Sequence, residues 1–323
     1  MGIRNLNRYL KESCPDSIRC INLVELSGKR IAVDISIYLY RYEAENALLE
    51  NMYVMLSIFR HYNIIPIFIF DGKPPPEKKE LLNKRKEERE DAQEEYEKLK
   101  KLLESNNEYN YKQDIITSMD KLKRQIVQMN KEKIEKVKAL IRAYGAIYYD
   151  ALGEADELCA LLVIKKKVWA CLSEDMDLFV YGCTRVLRYF SLIGHTVVLY
   201  YTKGILEELD MTQKEFKEVC ILSGTDYNID ADGNNEKVNL TQTFKYFRKF
   251  KINNPTDDFY EWLSVNTEYI SDIELLKNIN TMFNLDANHE NLALFNKIKI
   301  EKGPIKQNEI ENIMKEEDFI FCK

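Results

Sequence analysis

Long apolar runs are absent from this 323-residue sequence. No apolar stretch approaches the roughly 20 residues that a helix needs to span a bilayer, so we expect no membrane-spanning segment and no membrane partner. The opening stretch, MGIRNLNRYLKESC, has no apolar signal core. We therefore expect no secretion signal and predict a nuclear or cytoplasmic protein.

Paired cysteines are also absent. None of the seven cysteines forms a C-x-x-C motif, which argues against a zinc site of that kind. An odd and scattered set argues equally against a disulfide framework and favours reduced thiols inside the cell. These residues are Cys14, Cys20, Cys159, Cys171, Cys183, Cys220 and Cys322.

The chain has no excess of positive charge: 47 Lys and Arg stand against 53 Asp and Glu, a net charge of −6. This balance argues against a protein that coats nucleic acid without specificity, although local basic patches can still bind it. A metal site rich in carboxylates would itself contribute to the negative total. We find no internal repeat and no low-complexity linker.

Several short apolar runs, two of them ending in an Asp, predict buried strands, and helical spacing lies between them. This alternation is typical of a mostly parallel α/β sheet covered by helices on both faces. The predicted strands are 29–36, 64–72, 146–150, 167–173 and 195–201, with a single helix over 37–63. Residues 203–323 are predicted to be mainly helical.

Residues 77–141 predict two long charged helices joined by the polar break NNEYNYKQD. On pattern alone, a solvated helical hairpin with i,i+4 charge pairs is favoured. The position of the segment suggests a second interpretation. It follows the second Asp-terminated strand directly, where an arm would overhang a site at the sheet edge.

The stretch CLSEDMDLFVYG brings three acids to the end of a predicted strand. Burying unpaired carboxylates is costly, so a positive group must meet them. In an extended segment, Asp175 and Asp177 would point the same way and Glu174 would point away.

Further acids stand at strand ends and helix starts. Each alone is more simply a cap or turn residue, but as a set they are expected at one edge of the sheet. Two divalent cations about 4 Å apart would supply the missing positive charge, and hard oxygen ligands suit Mg²⁺ or Mn²⁺. Two of the acids, Glu154 and Asp156, converge only if they occupy the irregular first turn of a helix. The full set is Asp34, Asp71, Glu154, Asp156, Asp175, Asp177 and Asp226.

Six blocks of the sequence resemble the flap endonuclease and XPG family of structure-specific 5′ nucleases. They occur in the family's order: MGIRNLNRYLKE, IAVDISIYLY, IFIFDGKPPPEKKELLNKR, GEADELCALL, SEDMDLFVYG and LSGTDYN. The resemblance implies a PIN-like fold with an inserted helical arch and a helical C-terminal region containing a degenerate helix–two-turn–helix. The expected parts are residues 1–76 and 142–226 for the nuclease domain, 77–141 for the arch and 227–323 for the C-terminal region.

The resemblance also assigns roles to the acids. Asp34, Asp71, Glu154 and Asp156 would surround a first Mg²⁺, and the other three acids a second, several of them through water. The family hydrolyses phosphodiesters by in-line attack of an activated water, with the metals stabilising the attacking and leaving oxygens.

Lys78 and Arg85 match the basic pair at the foot of the family's arch. Seven residues apart, they are expected on one helix face, where they would stabilise charge on the scissile phosphate. A solvated helical stripe is the alternative. Tyr40 matches an aromatic position for stacking a terminal nucleotide, with a core aromatic as its alternative. The remaining residues expected to bind substrate are Gly2, Arg41, Lys123, Arg124, Gly224 and Lys237.

Three features depart from the family pattern. The Asp34–Asp71 segment is short, which predicts a reduced pocket for a 3′ flap, and Ala47 stands where a basic residue is usual. A Gly-hydrophobic-Gly hairpin is replaced by Gly233-Asn234-Asn235, which puts binding of a monovalent cation in doubt. QNEIENIM lacks the aromatic pair of a sliding-clamp motif.

We therefore expect a Mg²⁺-dependent structure-specific 5′ nuclease, a flap endonuclease, a 5′-3′ exonuclease or both. It would act as a monomer on DNA with a flap, nick, end or junction in replication, repair or recombination. The alternatives are a non-catalytic nucleic-acid-binding relative and a junction- or RNA-processing nuclease. Retention of all seven acids favours the enzyme, because without metals their mutual repulsion would destabilise the fold.

Overall fold

The computed structural model describes residues 3, 5–105, 109–228, 239–253, 258–270, 272–285, 289–316, 319 and 321. Gly2, Lys237 and the Gly233-Asn234-Asn235 segment lie outside the described residues. The predictions made for them, including the degenerate helix–two-turn–helix, therefore stay predictions.

A seven-stranded sheet forms the centre of the fold, in the order β1-β7-β6-β5-β2-β3-β4. The five strands from β6 to β4 run parallel to one another, whereas β7 is antiparallel to β6 and β1 is antiparallel to β7. This arrangement confirms the predicted mostly parallel sheet. The strands are β1 (Ile18–Asn22), β2 (Arg30–Asp34), β3 (Ile65–Phe70), β4 (Ile147–Asp150), β5 (Ala170–Leu172), β6 (Arg185–Ser191) and β7 (Thr196–Tyr201).

Two of these strands, β1 and β6, were not predicted. The edge strand β1 buries only Ile21 fully, so its sequence has no apolar run. Strand β6 carries the charged Arg188 and is irregular between Arg188 and Ser191, where Tyr189 has a positive φ of 57°. A bulge of this kind interrupts the two-residue alternation by which a strand is recognised.

The single helix predicted over 37–63 is wrong, because the chain forms α2 (Ser36–Ala44) and α3 (Leu48–His61). Asn46 ends α2 with a left-handed φ of 52°, a conformation that Asn tolerates better than most residues. The Ala47 N–H then donates to the Tyr42 carbonyl oxygen at 3.0 Å, the closing bond of a helix C-terminus.

The segment between β3 and β4 contains a 3-10 turn (Pro76–Lys78), α4 (Lys79–Ser105), α5 (Tyr109–Ile126) and α6 (Lys131–Ala143). The predicted second helix is therefore two helices. Asn130 separates them because its side-chain oxygen accepts from the Lys133 N–H at 2.8 Å and caps α6.

The rest of the described chain is mainly helical. The helices are α1 (Leu6–Ser13), α7 (Ala155–Ile164), α8 (Asp177–Val180), α9 (Thr202–Glu208), α10 (Gln213–Leu222), α11 (Leu240–Asn253), α12 (Phe259–Asn266), α13 (Ile273–Met282), α14 (His289–Phe295) and α15 (Gln307–Lys315). Within the described ranges, none is both long enough and apolar enough to span a bilayer.

The chain forms two compact units. The first contains the whole sheet and comprises Met1–Ile35, Ser57–Pro75 and Ala146–Lys302; the second comprises Ser36–Leu56, Pro76–Gly145 and Gly303–Lys323. In the second unit, α15 packs on α6 and buries Ile310 and Met314, two apolar residues of QNEIENIM. The four-part division expected from the family stays a prediction.

Candidate functional site

Acids follow three adjacent parallel strands of the first unit. Asp34 ends β2, Asp71 follows β3, and Asp175 lies three residues after β5. The register pairs Asp34 with Ile69 of β3 and Val33 with Leu172 of β5, so the carboxyl ends of these strands meet at one edge. The sheet therefore brings acids that are far apart in sequence to a common edge.

Ser173 connects the acids of β2 and β5. Its hydroxyl donates to Asp34 Oδ2 at 2.7 Å and accepts from the Asp175 N–H at 3.0 Å. Asp175 Oδ1 in turn accepts from the Asp177 N–H at 3.0 Å. This chain of hydrogen bonds fixes three of the seven acids relative to one another. Ser173 is not among the predicted site residues, although its position directly before the acids was a usable signal.

Asp71 is held at the start of α7. Its Oδ1 accepts from the Ala155 N–H at 2.8 Å, and Ala155 lies between the predicted site residues Glu154 and Asp156. Glu154 is the N-cap residue, with extended backbone angles, and Asp156 lies in the first turn. These two acids thus occupy the irregular turn that their convergence requires.

Gly72 determines how closely β3 approaches the loop before α7. Its N–H donates to the Gly153 carbonyl oxygen at 2.7 Å, and the next N–H, of Lys73, donates to Leu152. A Cβ at Gly72 would overlap the Ala151 carbonyl oxygen and come within 2.7 Å of the Leu152 oxygen. Only glycine fits here, so the Gly of the FDG motif positions the preceding Asp71.

Asp226 lies in the turn that follows α10. Gly224, two residues earlier, has a φ of 108°, a conformation strained for any other residue. The neighbouring Tyr227 donates its hydroxyl to Glu154 Oε2 at 3.0 Å. Tyr227, which is not among the predicted site residues, thereby links the turn to the N-terminus of α7.

Glu174 points away from the other acids, as predicted. Its Oε1 accepts from the Tyr189 N–H at 2.6 Å, and its Oε2 lies 3.4 Å from Nη2 of the buried Arg188. The positive group that meets the first acid of this stretch is therefore Arg188. The predicted extended path through Asp177 is wrong, because Met176 has helical angles and Asp177 begins α8.

Arg188 also holds the backbone that carries the acids. It donates to the Glu174 carbonyl oxygen at 2.8 Å and to Asn7 Oδ1 of α1 at 2.7 Å. Tyr200 donates to the same Asn7 oxygen at 2.8 Å. One buried guanidinium thus joins α1, β6 and the loop between β5 and α8.

Replacing Arg188 by Met should lower the free energy of unfolding by about 3 kcal/mol, because it leaves the buried Glu174 carboxylate without its charge partner. The double variant Glu174→Gln/Arg188→Met should recover part of this loss. Chemical denaturation measures both. The control is Arg8→Met, which breaks an exposed ion pair with Glu12 and should change stability little. An Arg188→Met protein as stable as this control would contradict the role given to the network.

Burial and the acids together shift the pKa of neighbouring groups. Burial raises the pKa of the Cys159 thiol well above its usual value, and the neighbouring Cys171, Asp34 and Asp156 raise it further. Burial and the nearby Asp156 likewise raise the pKa of Tyr181, and burial and Asp177 that of Cys220. These groups stay neutral at pH 7, so the thiols are poor nucleophiles here.

Family models match two regions of the chain: the XPG N-terminal domain over residues 1–92 and the XPG I-region over residues 145–226. Flap endonuclease 1 of Aedes aegypti is 32% identical over 279 residues, which cover 80% of this chain and 70% of that protein. The chain belongs to the flap endonuclease and XPG family. The Glossina morsitans morsitans flap endonuclease 1 is 33% identical over 245 residues.

Solved structures of the flap endonuclease and XPG family share the fold. The catalytic core of Rad2 in complex with DNA substrate has a TM-score of 0.66 at 20% identity, covering 98% of this chain and 94% of that one. Human GEN1 in complex with Holliday junction DNA has a TM-score of 0.62 at 18% identity, covering 98% of this chain and 73% of that one. Flap endonuclease-1 from Methanococcus jannaschii has a TM-score of 0.57 at 18% identity, covering 93% of this chain and 97% of that one. These likenesses confirm the PIN-like α/β fold. The chain spans 61% of the length of the Glossina relative.

The basic pair of the family motif lies in the second unit. Lys78 ends a 3-10 turn that starts at Pro76 and leads directly into α4, which contains Arg85, so their expected position on one helix face stays a prediction. Lys78 is 7% exposed and Arg85 is half-buried, which argues against a fully solvated stripe. Lysine is rarely buried to this extent without a specific role or partner.

The other predicted substrate-binding residues of the second unit are exposed. Tyr40 of α2 is 47% exposed, so the alternative of a core aromatic is wrong; Tyr38 and Tyr42 are the buried tyrosines of that helix. Arg41 lies beside Tyr40 on the surface, and Lys123 and Arg124 are exposed in the last turn of α5. Their roles in binding substrate stay predictions.

The donor set fits a hard divalent cation. All seven predicted ligands are carboxylates, and Asp34, Asp156 and Asp177 are buried. Across the described residues, no three His, Cys, Asp or Glu side chains form a site that could hold a metal ion by themselves. Mg²⁺ usually keeps several of its waters and takes one or two carboxylates directly, so the arrangement suits ions held partly through water.

Proposed function

We propose that this protein is a divalent-metal-dependent, structure-specific 5′ nuclease that hydrolyses DNA phosphodiesters in replication, repair or recombination. Membership of the flap endonuclease and XPG family supports this proposal. The observation that supports it is that acids from three adjacent strand ends and from the start of α7 meet at one sheet edge, where hydrogen bonds through Ser173, the Ala155 N–H and Tyr227 orient them.

The acids would hold two Mg²⁺ ions, with Asp34, Asp71, Glu154 and Asp156 around the first and Asp175, Asp177 and Asp226 around the second. When bound, such ions activate water and stabilise the attacking and leaving oxygens of the phosphate. The hydrogen bonds to Asp34, Asp71 and Glu154 fix carboxylate orientation before substrate arrives. Lys78 and Arg85 would stabilise charge on the transferring phosphate, a role that rests on the family motif.

A non-catalytic nucleic-acid-binding relative is less well supported. Three of the acids, Asp34, Asp156 and Asp177, are buried, and keeping several carboxylates together without cations is costly. A chain that only binds would gain stability by losing some of them. The presence of all seven, with Gly72 and Ser173 to position them, favours catalysis.

Incubation with Mg²⁺ and end-labelled substrates tests the proposal. The substrates are flap, nicked, blunt and four-way-junction DNAs, together with an RNA flap. The position of any cut is mapped on each of them. We expect cleavage near the single-strand to double-strand boundary of at least one DNA, and none with EDTA in place of Mg²⁺. Binding of these DNAs without any cleavage would support the non-catalytic alternative. A preference for the RNA flap or the four-way junction would support a role in RNA processing or junction resolution.

A 3′ flap should change the cleavage rate little. Only three residues, 45–47, separate α2 from α3, which leaves little chain for a pocket that binds a one-nucleotide 3′ flap. Without it, the protein lacks the binding energy that would separate double-flap from single-flap substrates. Single-turnover rates on the two substrates measure the difference. A strong preference for the double flap, with one sharp cut position, would show that another part of the chain forms the pocket.

A further inference from the structure

Six cations lie at or near the amino-terminal edge of the sheet in the first unit, opposite the edge that carries the acids. Arg30 starts β2, Arg185 starts β6, and the others lie in the loops that enter β2 and β5. Strand β2 places Arg30 about 13 Å from Asp34, measured along the backbone. We call this set the amino-edge patch: Lys29, Arg30, Lys165, Lys166, Lys167 and Arg185.

Acidic residues are absent from the segments that carry the patch. Residues 27–31, 164–170 and 183–186 contain no Asp or Glu. Among the described residues, none of the six cations forms an ion pair, whereas Lys203, Lys214 and Lys277 of the same unit each pair with a Glu. All of these cations except Arg185, which is half-buried, are exposed. In a chain of net charge −6, this is a locally concentrated positive surface.

Two partly exposed aromatic rings lie among the cations. The backbone N–H of Trp169 donates to the Arg30 carbonyl oxygen at 2.7 Å, and Arg185 pairs in register with Tyr201 of β7. The Arg185 guanidinium lies 5.2 Å from the Trp169 ring centre and 5.9 Å from that of Tyr201. Across adjacent strands about 4.8 Å apart, cations and aromatic rings therefore alternate.

The basic surface continues beyond the patch. Lys302 donates to the Asn63 side-chain oxygen at 3.0 Å, and the Asn63 carbonyl oxygen accepts from Gly28, next to Lys29. Burial and then the nearby Arg60 lower the pKa of the Lys302 ammonium. Arg60 therefore adds a further positive charge beside Lys302.

We propose that the amino-edge patch binds single-stranded nucleic acid, as a second contact separate from the acid-lined edge. Clustered cations suit the phosphates of such a strand, and interleaved aromatic rings suit its unstacked bases. An acidic peptide or an anionic membrane would use the charges but leaves the alternation with Trp169 and Tyr201 unexplained. The inference goes beyond the proposed cleavage and does not depend on it.

Trp169 provides a reporter inside the patch. The chain has two tryptophans, and the other, Trp262, is 8% exposed in α12. We expect oligo(dT) of about 30 nucleotides to quench the fluorescence of Trp169. The titration is made on the Asp175→Asn protein without Mg²⁺, so the probe stays intact. In a Trp169→Phe variant the quenching should disappear.

The triple variant Lys165→Gln/Lys166→Gln/Lys167→Gln tests the charges. Its Kd for oligo(dT) should rise about tenfold, and the slope of log K against log salt should fall in magnitude by about 2. Glutamine preserves the Cβ that Lys166 already carries at its positive φ of 56°, so the backbone cost is unchanged. The control Lys214→Gln/Lys277→Gln/Lys299→Gln removes the same charge from paired lysines and should bind like its parent.

Three results would overturn the inference. One is the absence of Trp169 quenching by oligo(dT), and another is an equal loss of binding in the control variant. The third is equal or stronger quenching by poly-glutamate or by vesicles containing phosphatidylserine, which would identify a protein- or membrane-docking surface. Since cleavage is not the readout, a chain without nuclease activity would still give a positive result here.

Discussion

Asp175→Asn should lower the rate of DNA cleavage by about 10³-fold while leaving DNA binding largely intact. The carboxylate is a proposed metal ligand, and loss of metal-ion stabilisation of the transition state costs about 4 kcal/mol. Asn keeps the side-chain oxygen that accepts from the Asp177 N–H and the backbone N–H that donates to Ser173. The fold of the loop is therefore preserved, and removing a negative charge near phosphate should if anything tighten binding.

Single-turnover cleavage and gel-shift titration with the same flap DNA measure the two effects. Asp150→Asn is the matched control, because Asp150 ends the neighbouring strand β4, is exposed and lies outside the proposed ligand set. We expect the control to cleave at the parent rate. An Asp175→Asn protein with the turnover of this control would rule out the two-metal assignment.

The sheet edge could be predicted because strands buried on both faces leave a continuous apolar run in the sequence. Strands β2 and β3 are such runs, and the acids at their ends followed directly. Strand β6 could not be found in this way, because Arg188 is buried within it. A buried charge contradicts the apolar pattern locally and is tolerated only through partners distant in sequence, here Asn7 and Glu174.

The residues that orient the acids were hidden for a similar reason. Tyr227 and Glu154 are 73 residues apart, and Ser173 and Asp34 are 139 apart. No local spacing signals such a contact. Two helix breaks were missed because each depends on a single polar residue within a sequence of helical periodicity. Asn46 interrupts its helix by a left-handed backbone conformation, and Asn130 does so by capping the helix that follows.

Replacing either Lys78 or Arg85 by Ala should lower the single-turnover cleavage rate by about 10²-fold and weaken substrate binding far less. A positioned donor that stabilises charge only in the transition state contributes about 3 kcal/mol to the rate. An interaction made equally in the ground state would change affinity as well. The comparison of rate with affinity therefore separates a role in the chemical step from a general attraction for phosphate.

Lys86→Ala is the matched control for this experiment. Lys86 lies beside Arg85 in α4, but its side chain is 69% exposed and pairs with Glu90 of the next turn. Its loss removes the same charge from the same helix and should leave the rate nearly unchanged, since exposed pairs of this kind contribute little. Because Lys78 is buried and Arg85 is half-buried, we expect their Ala variants to lose far more cleavage rate than Lys86→Ala. If Lys78→Ala and Arg85→Ala lost affinity but no rate, as a solvated stripe would, both residues would belong to substrate attraction and not to the chemical step.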